Sequence, residues 1–256
     1  TVLLNINLVD WENSIMSKNY FINKFRILED LTNSWADVNF KIEDTGDILG
    51  NFSFHRELYK STNSNFIINI DTDIVFSETL LANITNSAKL LNESEKYFIV
   101  TPEISKLWDN SWDILVNTKY RNLPPSQDYI TSDPYIDVQN NIDPILEKIN
   151  TFKFGMGWFT LINKNVLDLI QLPESMGHYG PDDTFMMMCA NACKQRNINV
   201  NQFVLRNEVV RENLKYKFKS YNNFLKVIDK KDEFREIAQN NFNKEIQKLI
   251  KQITEI

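Results

Sequence analysis

The feature that most constrains this chain is a short apolar run that ends abruptly in two aspartates. The run spans Asn65 to Ile70 and is followed by Asp71-Thr72-Asp73. Its length and isoleucine content predict a buried strand, and in open α/β sheets ligands bind where such strands end. Alternation along an extended chain places Asp71 and Asp73 on one side of it. Because two neighbouring carboxylates repel each other, we expect a hard divalent cation, Mg²⁺ or Mn²⁺, to be bound there.

The segments around this run predict an α/β fold. Val2–Val9 and Val38–Asp44 have the composition of strands, and residues 17–31 between them carry apolar residues at helical spacing. This order is a β-α-β unit, and a short helix over Phe54–Tyr59 is predicted to follow it. Later strands are predicted at Tyr97–Thr101, Trp112–Val116 and Val200–Leu205, an apolar run resumes at Phe152–Ile162, and helices are predicted after an N-cap at Ser77, over Asn163–Ile170 and from Asp182.

Two stretches depart from this alternation. Residues 120–143 are interrupted by prolines and show little periodicity, so we predict a long loop, either a lid that contacts substrate or a surface excursion. Beyond about Lys219, apolar residues recur at spacings of three and four, which predicts an amphipathic helix. The sequence therefore predicts one domain over 1–218 and a helical extension over 219–256. The extension is expected to pack on that domain, on another domain or on a second copy of the chain.

Composition and charge exclude several classes of function. The chain of 256 residues has a net charge of -6, so it lacks the basic excess that general nucleic-acid binding requires. No apolar run is long enough for a transmembrane helix, and no signal peptide is recognisable. Cys189 and Cys193 lie four positions apart in a predicted helix, where the geometry for a disulfide is poor. We therefore expect reduced, buried thiols in a cytoplasmic protein.

Four features follow one another in an order that points to a family. They are Asp44 at the end of the second strand, the Asp71-Thr72-Asp73 motif, a glycine-containing run over Gly155–Trp158, and Gly180-Pro181-Asp182-Asp183 at the start of a helix. This order resembles the nucleotide-sugar glycosyltransferases of the A-type (GT-A) fold, over most of residues 2–212. The resemblance implies a Rossmann-like α/β fold, with a mixed, mostly parallel sheet flanked by helices, to which the C-terminal helical extension is added.

The resemblance also implies a role for each acidic residue. Asp71 and Asp73 would hold Mn²⁺ or Mg²⁺ on the diphosphate of a nucleotide-sugar donor, and Asp44 would contact the nucleobase. The later pair would face a hydroxyl acceptor such as a glycan, with Asp183 as the general base and Asp182 as the reserve. Because a candidate base is present, inversion at the transferred sugar is slightly favoured. Outside the resemblance, Asp44 also suits a turn, and the later pair also suits a helix cap.

The remaining candidates carry a weaker signal. The family often supplies a third metal ligand from a late segment, commonly a histidine, but no histidine follows His178. Asn207, Glu208 or water would have to serve instead. Each of the other candidates has an ordinary structural alternative, such as a surface arginine or a buried aromatic. These candidates are Arg206 and Arg211 for the diphosphate, and Gly157, Trp158 and His178 for the acceptor.

Two other functions remain open. The segment Asp71 to Val75 also resembles the nucleophile motif of haloacid-dehalogenase-like phosphatases, in which Asp71 would attack phosphorus and Asp73 would act as acid and base. That nucleophile strand normally opens its fold, whereas about two βα units precede Asp71 here. The later acidic pair of that family should also follow an apolar strand. The third reading is a catalytically silent sugar-nucleotide-binding module that works through its amphipathic C-terminal segment.

Overall fold

The computed structural model describes the secondary structure of eleven stretches of the chain, within two compact units. The first unit comprises Thr1–Thr62, Pro173–Gly180 and Tyr221–Asn241, and the second comprises Asn63–Leu172, Pro181–Ser220 and Phe242–Ile256. The described residues are 2–6, 18–32, 40–44, 55–56, 59–60, 63–71, 74–104, 145–149, 158–176, 182–212 and 225–254.

The first unit contains the predicted β-α-β unit. Strand β1 (Val2–Ile6) pairs in parallel with β2 (Phe40–Asp44), in register from Val2 opposite Phe40 to Ile6 opposite Asp44. Helix α1 (Lys18–Thr32) connects them, and its last residue donates its hydroxyl to the carbonyl oxygens of Leu28 and Glu29. Parallel neighbours require such a crossover, so the periodicity of this segment correctly predicted both the helix and the order of elements.

The second unit is built on a six-stranded mixed sheet with the order β3-β7-β5-β8-β4, in which β6 also pairs with β8. Helices α2 (Leu80–Leu91), α3 (Lys164–Leu169) and α4 (Asp182–Lys194) alternate with its strands. The strands are β3 (Phe66–Ile70), β4 (Ile74–Val75), β5 (Phe98–Ile104), β6 (Ile145–Ile149), β7 (Phe159–Asn163) and β8 (Asn201–Glu212). The predicted α/β class is confirmed at this level.

Strand direction differs from the prediction of a mostly parallel sheet. Among the described strands of the second unit, only β5 and β8 pair in parallel, and the other four pairings are antiparallel. The direction of a strand depends on where the chain re-enters the sheet, and no local pattern encodes it. Because β7 is antiparallel to both β3 and β5, strands β3, β5 and β8 run the same way. Their carboxyl ends therefore share one edge of the sheet.

Helix α2 packs its apolar face on this sheet. Its buried residues Leu80, Ile84, Ala88 and Leu91 recur at intervals of three and four, as expected for one face of a helix. They belong to a core cluster with aromatic and aliphatic residues of β5, β7 and β8. Fully burying one such aliphatic side chain stabilises the fold by roughly 2 kcal/mol. The sheet edge at Asp71 thus rests on an ordinary hydrophobic core.

The boundaries of several predicted elements differ from those in the structure. The N-cap of α2 is Thr79 and not Ser77, and its side chain makes no cap hydrogen bond. Strand β6 was not predicted, and β8 continues seven residues beyond the predicted end at Leu205. The predicted strand at residues 112–116 and the predicted loop at residues 120–143 lie outside the described residues.

The predicted C-terminal helix is present as α5 (Leu225–Thr254). In its second-unit part, Ile246, Leu249 and Ile253 are buried at helical spacing, and Phe242 meets Phe185 edge to face at 5.6 Å between ring centroids. The predicted domain boundary near residue 218 stays a prediction. Within the described ranges, no helix has both the length and the apolar character needed to cross a membrane.

Candidate functional site

The carboxyl ends of β3, β5 and β8 bring together residues that are far apart in sequence. Ile68, Val100 and Phe203 lie in one row across the sheet, linked through Leu161 of β7. Three positions further along β3 and β5 lie Asp71 and Glu103, and Arg206 follows Leu205, the β8 partner of Pro102. Neighbouring strands are about 4.8 Å apart, so β3 and β5 are separated by roughly 10 Å across β7. Three charged residues thus lie at one level of the sheet edge.

Asp71 is held at this edge by its backbone. Its N–H donates to the carbonyl oxygen of Trp158 at 2.9 Å, and its own carbonyl oxygen accepts from the Ile74 N–H at 3.2 Å. Asp71 itself is half-buried. Thr72 and Asp73 lie outside the described residues, but the residues that flank them are joined directly by the second of these bonds. Asp71 is therefore bonded both to Trp158, directly before β7, and to Ile74, the first residue of β4.

Trp158 is 7% exposed and belongs to the core cluster of the second unit. Its carbonyl oxygen is the group that receives the Asp71 N–H. Burial in an apolar cluster is the structural alternative that the sequence left open for this residue, and it gives the indole a packing role. Its proposed stacking on an acceptor sugar stays a prediction. The neighbouring candidate Gly157 lies outside the described residues.

Strand β8 carries a bulge at the same edge. Pro102 pairs with Leu205, but the next residue of β5, Glu103, pairs with Val209. Three residues of β8, numbers 206 to 208, therefore have no counterpart on β5. Asn207 has a φ of 71°, in the left-handed region that asparagine tolerates better than most residues. Bulges of this kind re-aim side chains and are frequent beside functional sites.

The first residue of the bulge, Arg206, is enclosed by carboxylates. Its Nη1 donates to Glu103 Oε1 at 2.9 Å and its Nε donates to Glu147 Oε2 at 2.6 Å. The second oxygen of Glu103 accepts the Asn207 N–H at 3.2 Å. Burial of Arg206 opposes its charge, but the hydrogen bonds to Glu147 and Glu103 outweigh this effect and raise the pKa of Arg206. The guanidinium that the sequence assigned to a diphosphate is thus already paired within the chain.

The last residue of the bulge, Glu208, is buried at 3% exposure. Its Oε2 accepts the Ser77 hydroxyl at 2.6 Å, and its Oε1 accepts the Thr79 hydroxyl at 3.0 Å. The Asn83 side-chain amide donates to the same Oε1. Ser77 and Thr79 lie between β4 and α2, so this carboxylate ties β8 to the segment that follows the Asp71 motif.

The second acidic pair opens helix α4, as predicted. Asp182 and Asp183 are both half-buried in its first turn. The Asp183 Oδ1 accepts the Thr184 N–H at 2.6 Å and lies 3.3 Å from the Thr184 hydroxyl. A carboxylate in the first turn also interacts favourably with the helix dipole. Asp183 therefore has a local structural role, whether or not it acts as a base.

The other predicted site residues are less fully described. Asp44 ends β2 in the first unit, where only its backbone is described. Arg211 pairs through its backbone with Val75 of β4, and its side chain lies outside the described set. His178 and Asp73 also lie outside it. The structure thus brings Asp71, the backbone of Trp158 and the β8 bulge to one sheet edge.

Sequence reasoning missed the partners of the bulge. Glu103 and Glu147 lie 103 and 59 residues from Arg206, and Ser77 lies 131 residues from Glu208. The one local signal was Glu103 itself, a charged residue placed directly after the apolar run Phe98 to Pro102. A charge at the end of a buried strand needs a partner, which predicts a buried pair but not its second member.

The described residues contain no group of three or more His, Cys, Asp or Glu side chains arranged to hold a metal ion. The pair Asp71 and Asp73 is a smaller set. Mg²⁺ commonly uses one or two carboxylates together with substrate phosphates and water, so a two-aspartate site suits a cation that arrives with a diphosphate. The donor chemistry of the motif therefore fits the group that the resemblance implies.

The two cysteines are free thiols buried in α4, as predicted. Burial raises the pKa of Cys193 to about 11. Burial, together with the nearby Cys193, raises the pKa of Cys189 further. Both side chains therefore stay protonated near neutral pH, and they belong to the apolar face of the helix.

These features define an α/β protein with a mixed sheet and a charged edge at the carboxyl ends of three strands that run in the same direction. Comparison with protein-family models gives no match, and comparison with curated proteins gives none either.

Proposed function

We propose that this protein is a metal-dependent glycosyltransferase that moves a sugar from a nucleotide-diphosphate sugar to a hydroxyl acceptor, such as a glycan. The observation that carries the proposal is the position of Asp71. It follows β3 directly, at the edge shared by the carboxyl ends of β3, β5 and β8, and its backbone is bonded to Trp158 and Ile74. Ligands of open α/β sheets bind beyond such strand ends. The GT-A form of the fold is part of this proposal.

In this mechanism Asp71 and Asp73 would hold the cation through their carboxylates; a contact of Asp44 with the nucleobase stays a prediction of the resemblance. The bound Mn²⁺ or Mg²⁺ supplies positive charge that stabilises the departing nucleoside diphosphate. Asp183 accepts the proton of the attacking hydroxyl and Asp182 is the reserve for that role. Inversion at the anomeric carbon follows from a single displacement assisted by such a base.

The phosphatase alternative receives less support. A β-α-β unit precedes β3 in the sequence, whereas the phosphatase motif normally opens its fold. The acidic pair Asp182 and Asp183 lies within the first turn of α4, and the residues directly before it in the sequence, His178-Tyr-Gly-Pro181, do not have the composition of an apolar strand. That family's acidic pair is expected after an apolar strand. Both observations favour transfer over phosphate hydrolysis.

The proposal is tested by a thermal-shift screen of nucleoside diphosphates with and without Mn²⁺. A ligand that binds only the folded chain raises its midpoint of unfolding, so one nucleotide should raise the midpoint in the presence of Mn²⁺ and not in its absence. Asp73→Asn should abolish the shift. Asp168→Asn is the matched control, since Asp168 forms an exposed ion pair with Lys164 at 3.0 Å in α3. It should leave the shift intact.

Three outcomes would contradict the proposal. A screen in which no nucleotide shifts the midpoint would remove its basis. Phosphate release from simple phosphomonoesters, lost in Asp71→Asn, would favour the phosphatase. A Mn²⁺-dependent shift with no hydrolysis or transfer of any nucleotide sugar would favour a silent binding module.

A further inference from the structure

We infer that Glu208 is a positioning residue, which fixes the segment after Asp71-Thr72-Asp73, and that it is not a ligand of the cation. This inference rests on the proposed function, because it concerns the geometry of the same metal site. It assigns a role to the β8 bulge and replaces the role that the sequence gave to Glu208.

The first step concerns the hydrogen bonds of the carboxylate. Both oxygens of Glu208 already accept from side chains, one from Ser77 and the other from Thr79 and Asn83. The residue is 3% exposed. A cation would have to displace these donors, which would leave buried polar groups without partners, a costly exchange. Both oxygens of the Glu208 carboxylate are therefore already bonded to donors of the protein.

The second step concerns the segment that Glu208 holds. Ser77 and Thr79 lie between β4 and α2, and β4 begins at Ile74, directly after the motif. Strand β4 has only two residues, paired with Glu212 and Arg211 of β8. So short a strand holds its register weakly by itself. The bonds to Glu208 give the same segment a second attachment to β8.

The third step concerns the other side of the motif. There, the Asp71 N–H is bonded to the Trp158 carbonyl oxygen at the end of β3. The chain up to Asp71 is thus attached to β7 through β3, and the chain from Ile74 to Thr79 is attached to β8. Loss of Glu208 would remove one of the two attachments of the Ile74–Thr79 segment, which directly follows the motif in the sequence. Groups that orient metal ligands typically change metal affinity about 10- to 100-fold when they are removed.

The test separates a ligand from a positioning residue by removing the donors instead of the carboxylate. Mn²⁺ binding to the full chain is measured by electron paramagnetic resonance of the free ion, at a fixed concentration of the nucleoside diphosphate that shifts the midpoint of unfolding. Glu208→Gln and the double variant Ser77→Ala with Thr79→Val are compared with wild type. We expect both to weaken Mn²⁺ binding by about tenfold. The double variant keeps the carboxylate, so a ligand role predicts no loss there.

Thr85→Val is the matched control. Thr85 lies on α2, the helix that begins directly after Thr79. Its hydroxyl donates to the Leu81 carbonyl oxygen at 2.6 Å and not to Glu208. It should bind Mn²⁺ as wild type does. Thermal unfolding of every variant shows whether it is folded, and Ser77→Ala alone is a milder replacement for the double variant if that one does not fold.

Two results would overturn the inference alone. In the first, Glu208→Gln abolishes Mn²⁺ binding while the double variant stays within about twofold of wild type, which is the behaviour of a ligand. In the second, both variants lower the midpoint of unfolding with unchanged Mn²⁺ affinity, which is the behaviour of a purely structural contact. Absence of Mn²⁺ binding by the wild-type chain in the presence of every nucleoside diphosphate of the screen would instead overturn the proposed function, and the inference with it.

Discussion

The carboxyl end of β3 and the bulge of β8 at residues 206–208, called the β8 end below, lie on the same edge of one sheet, and both carry acidic residues, yet they are stabilised differently. At the end of β3, backbone hydrogen bonds join Asp71 to Trp158 and to Ile74. At the end of β8, side chains bind one another: Arg206 pairs with two glutamates, and Glu208 accepts three donors. The two ends would therefore respond differently to the same kind of substitution.

This contrast separates charged residues that are available to bind a ligand from charged residues that hold strands together. Where the backbone fixes the position of a residue, an isosteric change of the side chain leaves that position intact, and its effect falls on ligand binding. Where the charged side chains themselves hold the strands together, the same change removes a structural interaction. Charge at a ligand-binding edge is therefore not sufficient evidence of a chemical role. The following predictions test this distinction.

The largest effect is expected for Asp71→Asn. The asparagine keeps both backbone hydrogen bonds but loses the negative charge that would bind the cation in the proposed function. We expect the rate of nucleotide-sugar turnover to fall about 10³-fold, which is the upper range for loss of one charge-stabilising group. The free energy of unfolding should change by less than about 1 kcal/mol. The turnover rate is measured from the release of nucleoside diphosphate, and the free energy of unfolding is measured by urea denaturation.

The control for this prediction is Asp168→Asn, which also removes one negative charge from the second unit. Its ion pair with Lys164 is exposed, so it should change the stability by no more than about 0.5 kcal/mol and leave turnover unchanged. If Asp71→Asn unfolds the protein, or if turnover survives it, then the β3 end resembles the β8 end and the contrast fails.

A smaller loss is expected for Asp183→Asn at the start of α4. The amide oxygen of asparagine can still accept the Thr184 N–H, so the helix start is preserved. The residue can no longer accept a proton, and we expect turnover to fall about 10²-fold, the lower range for general-base catalysis. Nucleotide affinity should stay unchanged in the thermal-shift assay. Equal losses in Asp183→Asn and Asp182→Asn would argue against a single base.

The sequence predicted the elements that local patterns encode. Strands β1, β2 and β3 and helices α1 and α4 follow from apolar periodicity and from the polar residues at their ends. Strand β6 was missed because Glu147 and Lys148 interrupt its short apolar pattern, and three of its five residues are exposed. The second half of β8 was missed because the polar bulge at Arg206 ends the apolar run. A bulge is a property of two paired strands, so one strand's sequence cannot specify it.

The candidate site divides in the same way. The Asp71 motif could be predicted because two carboxylates after an apolar run form a local signal. The role of Arg206 could not, because its partners Glu103 and Glu147 come from other strands, and only the pairing of β5, β6 and β8 brings them together. Long-range pairing also decides the surroundings of Glu208. The sequence alone could not separate charged residues with a chemical role from those with a structural role. Their partners in the folded chain make that distinction.

The β8 end should lose stability when Glu103 is changed. Glu103→Gln removes the buried partner of Arg206 and the charged acceptor of the Asn207 N–H. Breaking a fully buried ion pair typically costs about 3–5 kcal/mol. Because the Arg206 side chain is 24% exposed and keeps Glu147, we expect a smaller loss of about 2 kcal/mol in the free energy of unfolding. Urea unfolding measures it, and an unchanged stability with altered nucleotide affinity would instead make Arg206 a diphosphate ligand.

The smallest effect is expected for the matched change Glu147→Gln on the other side of Arg206. Its hydrogen bond to Arg206 is shorter, at 2.6 Å against 2.9 Å, but the Glu147 side chain is 52% exposed while that of Glu103 is 9% exposed. If distance decided the contribution, Glu147 would matter more. If burial decides it, solvent screens the pair, and the loss should be about 0.5 kcal/mol. Urea unfolding of both variants at low and high salt tests the order, because raised salt should reduce the effect of Glu147→Gln more than that of Glu103→Gln. Equal losses would mean that the β8 end is held by charge alone, and that burial does not separate its two glutamates.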